Sequence, residues 1–82
     1  MKRTPMVAGN WKMNKGIHET RDLIREMFPV LHAVKEVEVV ICPPFVGLGV
    51  AKRELEDSSI KLGAQNMHWS NSGAFTGEIS PL

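Results

Sequence analysis

Apolar residues in this chain come in short bursts, and their spacing switches between strand-like and helical patterns. Met6-Val7-Ala8-Gly9 is a brief apolar run that stops abruptly at Asn10, as a parallel strand buried on both faces does. From Ile17 onward the apolar positions fall at Ile17, Ile24, Met27, Leu31 and Val34, with Leu23 and Phe28 widening the stripe. Glu19, Arg21, Asp22, Arg25 and Glu26 supply the opposite, charged face, so the segment predicts an amphipathic helix laid on a sheet. Asn14 or Gly16 is placed to cap its start. Pro29 is expected to kink or end the helix, because its ring carries no N–H for the carbonyl of Arg25. Val37 to Ile41 is rich in β-branched residues and stops at Cys42-Pro43-Pro44, where two prolines cannot donate to a ladder. Helical spacing returns from Phe45 to Leu55 through Val46, Val50, Ala51 and Leu55, with Lys52, Arg53 and Glu54 toward solvent. Asp57-Ser58-Ser59 marks a turn, and Ile60 to Gln65 reads as a third short strand.

Strand, helix, strand, helix, strand in that order predicts an α/β unit with right-handed crossovers and a parallel sheet. The pattern then stops. Met67 to Ile79 mixes Ser, Asn, Gly, His, Trp and Phe without period, and structureless stretches of this length are usually functional. Ser80-Pro81 carries the signal of a helix N-cap followed by proline at the first helical position. A closed barrel of parallel strands and helices takes roughly 250 residues. Residues 1–82 are therefore expected to be the N-terminal portion of a single, larger domain, cut at the start of a third helix.

Composition narrows the function classes. Apolar residues make up 43% and charged residues 23%, the balance of an ordinary globular domain rather than a disordered or fibrous chain. A net charge of +1, with basic and acidic residues interleaved, offers no long-range field for nucleic acid or an anionic membrane, so any anion site must be local. Cys42 is the single cysteine, and no Cys/His cluster has zinc spacing, so neither a disulfide nor a bound metal is expected. Lys2 and Arg3 imitate the start of a signal peptide, yet Asn10, Lys12 and Asn14 interrupt the apolar core that one needs. A cytoplasmic, membrane-free setting is the expectation.

Asn10 falls where the first strand gives way to loop, and in parallel sheets ligands bind at the carboxyl ends of strands. If extended geometry persists for two more residues, Lys12 projects to the same side as Asn10. An amide and an ammonium would then converge, a pairing suited to a phosphorylated carbonyl compound. The competing reading has Asn10 capping a turn and Lys12 solvated. His18 and His32 belong to the first helix and His68 to the start of the long loop, which suits packing or solvation rather than catalysis. Cys42 has no neighbouring cation or cap to make it a nucleophile and reads as a packed strand-end thiol. A nucleotide-binding βαβ unit needs a glycine-rich turn after the first strand, where this chain has Asn-Trp-Lys. Gly47-x-Gly49 lacks the third glycine, its place being taken by Lys52.

Three segments together carry a family resemblance. Val7-Ala8-Gly9-Asn10-Trp11-Lys12-Met13-Asn14 resembles strand one and loop one of the triosephosphate isomerases, and Cys42-Pro43-Pro44-Phe45 resembles the end of their second strand. Leu62-Gly63-Ala64-Gln65-Asn66, followed by Gly73-Ala74-Phe75-Thr76-Gly77-Glu78-Ile79-Ser80-Pro81, is similar to their strand three, loop three and helix-three start. The resemblance implies an incomplete (β/α)8 TIM barrel and an isomerase that works through an enediolate without metal or organic cofactor. It implies that Asn10, Trp11 and Lys12 bind substrate, that Lys12 is catalytic, and that Trp11 mainly packs the loop. It places Met13, Phe75, Thr76 and Glu78 at a homodimer interface built by loop three. The same family is the standard pairing of a glutamate base with a neutral histidine electrophile, and both belong to later strands of its barrel. The alternative is a non-enzymatic partial-barrel fragment or interaction module.

Overall fold

The β-branched run Val39-Val40-Ile41 suits an inner strand with a ladder partner on each edge, and the computed structural model, which describes residues 3–82, supplies both partners. Strand β1 (Met6–Asn10), helix α1 (Ile17–His32), strand β2 (Glu38–Cys42), helix α2 (Leu48–Glu54) and strand β3 (Lys61–Leu62) follow one another along the chain. The strands form one parallel sheet in the order β1-β2-β3. Its register runs from Met6 opposite Glu38 to Asn10 opposite Cys42, and places Ile41 opposite Leu62. Met1 and Lys2, and with them half of the basic pair at the start of the chain, lie outside the described residues.

Four expectations change. β1 is exposed along its whole length, with Met6 at 59% and Val7 at 62%, because it has β2 on one side and no neighbour on the other among the described residues. α1 runs through Pro29 to His32 rather than ending there; Pro29 and Arg25 both face solvent, where water can serve the carbonyl that loses its donor. Phe45–Gly47 forms a tight 3₁₀ turn after Pro44, and only from Leu48 does α-helix begin. β3 is shorter than the expected Ile60 to Gln65: the N–H of Gly63 still reaches the carbonyl of Ile41 at 2.9 Å, but Pro43 and Pro44 offer β3 no donor beyond it.

Ile24, Ile41, Ala51, Leu55 and Ile60 form the core, where α1 and α2 cover the sheet, with Phe28 and Leu31 packed against it. Thr20 joins them, fully buried, where the sequence pattern marked no core position. Its seat explains Gly47: a Cβ there would lie 2.7 Å from Thr20 Oγ1, so the 3₁₀ turn can approach α1 only with hydrogen at that position. Gly47 thus serves close packing and not a phosphate cradle.

α1 and α2 are tied at the surface by a two-pronged pair, Arg25 Nε to Glu54 Oε2 at 3.1 Å and Arg25 Nη2 to Glu54 Oε1 at 2.9 Å. The hydrogen bonds from Arg25 hold the Glu54 carboxyl below the ordinary glutamate range. A depressed carboxylate stabilises the fold above its unfolded-state value and loses that contribution as pH falls through the folded one. The matching rise on Arg25, caused first by its hydrogen bond to Glu54, matters only in strong alkali. Glu54→Gln is therefore expected to flatten the acid limb of stability. Urea midpoints compared at about pH 7 and about pH 3 check this; an unchanged pH dependence in the variant refutes it.

Candidate active site

Loop one leaves the carboxyl end of β1 by an abrupt turn. Asn10 Oδ1 accepts the N–H of Lys12 at 2.8 Å, and the N–H of Trp11 donates to the carbonyl of Cys42 at 3.1 Å. Lys12 then adopts φ +55° and Lys15 φ +78°, both in the left-handed region. Extended geometry does not persist past Asn10, so the strand alternation expected to aim Lys12 alongside Asn10 is not how the loop is built. Asn10 does cap a turn, and this leaves its amide NH2 as the group able to donate outward.

A non-glycine residue in the left-handed region costs about 1–3 kcal/mol and persists only where its surroundings over-determine it. Gln65 supplies that constraint. Its Nε2 donates to the carbonyl of Lys12 at 2.9 Å and to that of Cys42 at 2.7 Å, so one side chain on the loop that follows β3 binds loop one and the end of β2. Each such bond is worth about 0.5–1.5 kcal/mol net, enough together to offset the strain. Asn14 Nδ2 adds a bond to the carbonyl of Trp11 at 2.9 Å, and Glu19 Oε1 accepts the N–H of Gly16 at 3.0 Å where α1 begins. Gly16, and not Asn14, is the cap residue.

Asn10 and Trp11 line an open cavity of about 510 Å³ with Asn14, Lys15, Glu19 and Leu23. Trp11 is partly buried and packs against the core. Lys12 is exposed and does not line this cavity; among the described residues no carboxylate lies within ion-pair distance of its ammonium. Phe75, Thr76 and Glu78 form a second, exposed group on loop three, and Met13 is 95% exposed at loop one. No hydrogen bond or ion pair among the described residues joins Met13 to that group. At the end of loop three, Ser80 Oγ accepts the N–H of Leu82 at 3.1 Å, the bond an N-cap serine makes. Among the described residues no His/Cys/Asp/Glu group could hold a metal ion, and no helix is long and apolar enough to cross a membrane.

Gln65 was not singled out from sequence. The signal was available, since Gln65 is the polar residue that closes the expected third strand, the rule that drew attention to Asn10. Lys15 was missed for another reason: nothing in a lone loop lysine announces a left-handed backbone.

Comparison with known proteins bears on the same arrangement. The family model described as triosephosphate isomerase matches residues 5–82. The triosephosphate isomerase of Alkaliphilus metalliredigens is 56% identical over 78 residues, covering 95% of this chain and 31% of the relative. That of Dictyoglomus thermophilum is 51% identical over 80 residues, covering 98% and 32%. The crystal structure of the Bartonella henselae triosephosphate isomerase superposes with a TM-score of 0.83 at 36% identity, covering 94% of this chain and 31% of that one. The chain spans about a third of the length of the curated relatives it matches. A three-stranded parallel sheet matching the N-terminal part of a TIM barrel, a family model matched from Pro5 to Leu82 and relatives above half identity place this chain in the triosephosphate isomerase family.

Proposed function

We propose that this chain contributes loop one and loop three to an enzyme that interconverts dihydroxyacetone phosphate and glyceraldehyde 3-phosphate through an enediolate. In that reading it serves glycolysis and gluconeogenesis in the cytoplasm and works as a homodimer. The observation that carries it is Lys12: an ammonium without a carboxylate partner among the described residues, on a strained backbone that Asn10 and Gln65 hold at the carboxyl end of a parallel sheet. Strain of this kind is retained where a site needs it. Lys12 attracts the substrate phosphate and stabilises the negative oxygen of the enediolate. The amide NH2 of Asn10 donates to the substrate, and Trp11 packs loop one on the core. Met13, Phe75, Thr76 and Glu78 meet the neighbouring subunit, with Thr76 bracing the partner's loop one.

An interaction module without activity is the second reading, favoured by the exposure of Met13 at 95% and Trp69 at 88%. A coupled isomerase assay separates the two. The 82-residue chain alone is expected to stay at background, because the base and electrophile of the family belong to later strands. A full-length family enzyme carrying residues 1–82 is expected to turn over. Activity of the isolated chain that survives repurification means the catalytic roles are misassigned; an inactive but folded full-length enzyme favours the module.

A further inference from the structure

Loop three is folded around one imidazole. The N–H of His68 donates to the carbonyl of Ile79 at 2.8 Å and Ser80 Oγ donates to the carbonyl of Asn71 at 2.7 Å, closing the neck of the loop. Within that neck His68 is 9% exposed, although residues 71–78 are all exposed. Its ring stacks on Trp69 with centroids 4.4 Å apart and planes at 25°, and tilts against Phe75 at 4.4 Å and 43°. Nδ1 lies 3.6 Å from Glu78 Oε2, inside ion-pair distance though too long for a hydrogen bond, and Nε2 is buried with no partner among the described residues. Neither ring nitrogen is presented to a substrate: the cavity His68 lines with Phe75 and Glu78 holds only about 90 Å³.

Phe75 is confined from a second direction as well. Gly73, at φ +152°, lies so close beneath its ring that a Cβ would meet Phe75 Cε2 at 2.5 Å. The half-exposed aromatic ring therefore meets both the imidazole and the bare backbone of Gly73. His68 touches both Phe75 and Glu78, two of the residues that face the neighbouring subunit in the proposed function.

We infer that His68 is a positioning residue that sets Phe75 and Glu78 in their binding arrangement before two subunits meet; this rests on the homodimer reading above. Exposed loop side chains lose freedom on association, and a loop that is already ordered avoids that loss. Aromatic contacts of this geometry favour one ring arrangement over others.

The test uses a full-length family enzyme carrying residues 1–82, with dimer dissociation measured by sedimentation and activity followed across protein concentration. His68→Ala is expected to raise the dissociation constant about ten- to a hundredfold, with kcat restored once concentration restores the dimer. His68→Phe keeps a flat ring but drops the contact with Glu78, and is expected to fall between. A lesion of folding alone lowers activity at every concentration instead, which overturns the inference. So does a His68→Ala dimer as tight as the parent. A parent that is monomeric throughout removes the homodimer reading itself, and the inference with it. Should His68→Ala not fold, amide exchange at His68 in the diluted parent decides: protection in the monomer supports a preset loop, and exchange at the free-chain rate overturns it.

Discussion

Replacing Lys12 with Met in a full-length family enzyme carrying this segment is expected to cut kcat/KM by about 10²–10³, the loss of ~2.7–4 kcal/mol that follows removal of one transition-state donor. Met keeps an unbranched stem and removes only the charge that the proposed function sets opposite phosphate and enediolate. The structure makes the substitution interpretable, because Asn10 and Gln65 bind the N–H and carbonyl of residue 12 and not its side chain. Loop one is therefore expected to keep its shape, which a crystal structure of the variant checks. Arg restores activity only in part, since a planar fork does not occupy the place of a compact ammonium. Near-normal catalytic efficiency in a folded Lys12→Met enzyme would return Lys12 to the status of a solvated surface residue.

Deleting Gly73 to Gly77 from the same enzyme is expected to give a folded monomer with much reduced activity. The deletion removes Phe75 and Thr76 and takes from His68 the ring tilted against it, so little of the proposed recognition face survives. An aromatic anchored in a desolvated pocket can contribute ~2 kcal/mol or more to association. In the proposed dimer the catalytic loss is indirect: without Thr76 from the partner, loop one is expected to keep its internal bonds but lose an outer brace, and misplacement by about 1 Å can cost ~10²-fold in rate. Sedimentation and steady-state kinetics on one preparation settle the matter, and a variant that remains dimeric and fully active refutes it.

Spacing alone delivered the element order and the parallel sheet, because β-branched clusters and helical stripes are direct imprints of backbone period. Ile24, Ala51 and Leu55 were legible as core for that reason. The exposure of β1 was not, since apolar composition tells what a strand is suited to bury and not how many neighbours cover it. Thr20 escaped because a hydroxyl reads as polar, while its burial depends on a hydrogen at Gly47, far away in sequence. In the candidate site, Asn10 could be named from its place at a strand end, whereas Lys12 was named through an extended geometry that the loop does not keep and through the family resemblance. The way they are held could not. Left-handed backbone at Lys12 and the double donation from Gln65 arise from side-chain amides meeting main-chain groups across the sheet, and such contacts leave no periodic trace.

The way loop one is bonded makes its two candidate positions, 10 and 12, unequal as targets of variation. Asn10 has two jobs for one amide in the proposed function, its oxygen shaping the turn through the N–H of Lys12 and its NH2 kept for substrate, so few replacements preserve both. Residue 12 enters the scaffold through its backbone alone. It behaves as a socket: unbranched side chains that tolerate a left-handed backbone can be exchanged there without rebuilding the loop, whereas β-branched ones are shut out by their own Cβ substituents. New reactivity on this frame is thus more easily introduced at position 12 than at position 10.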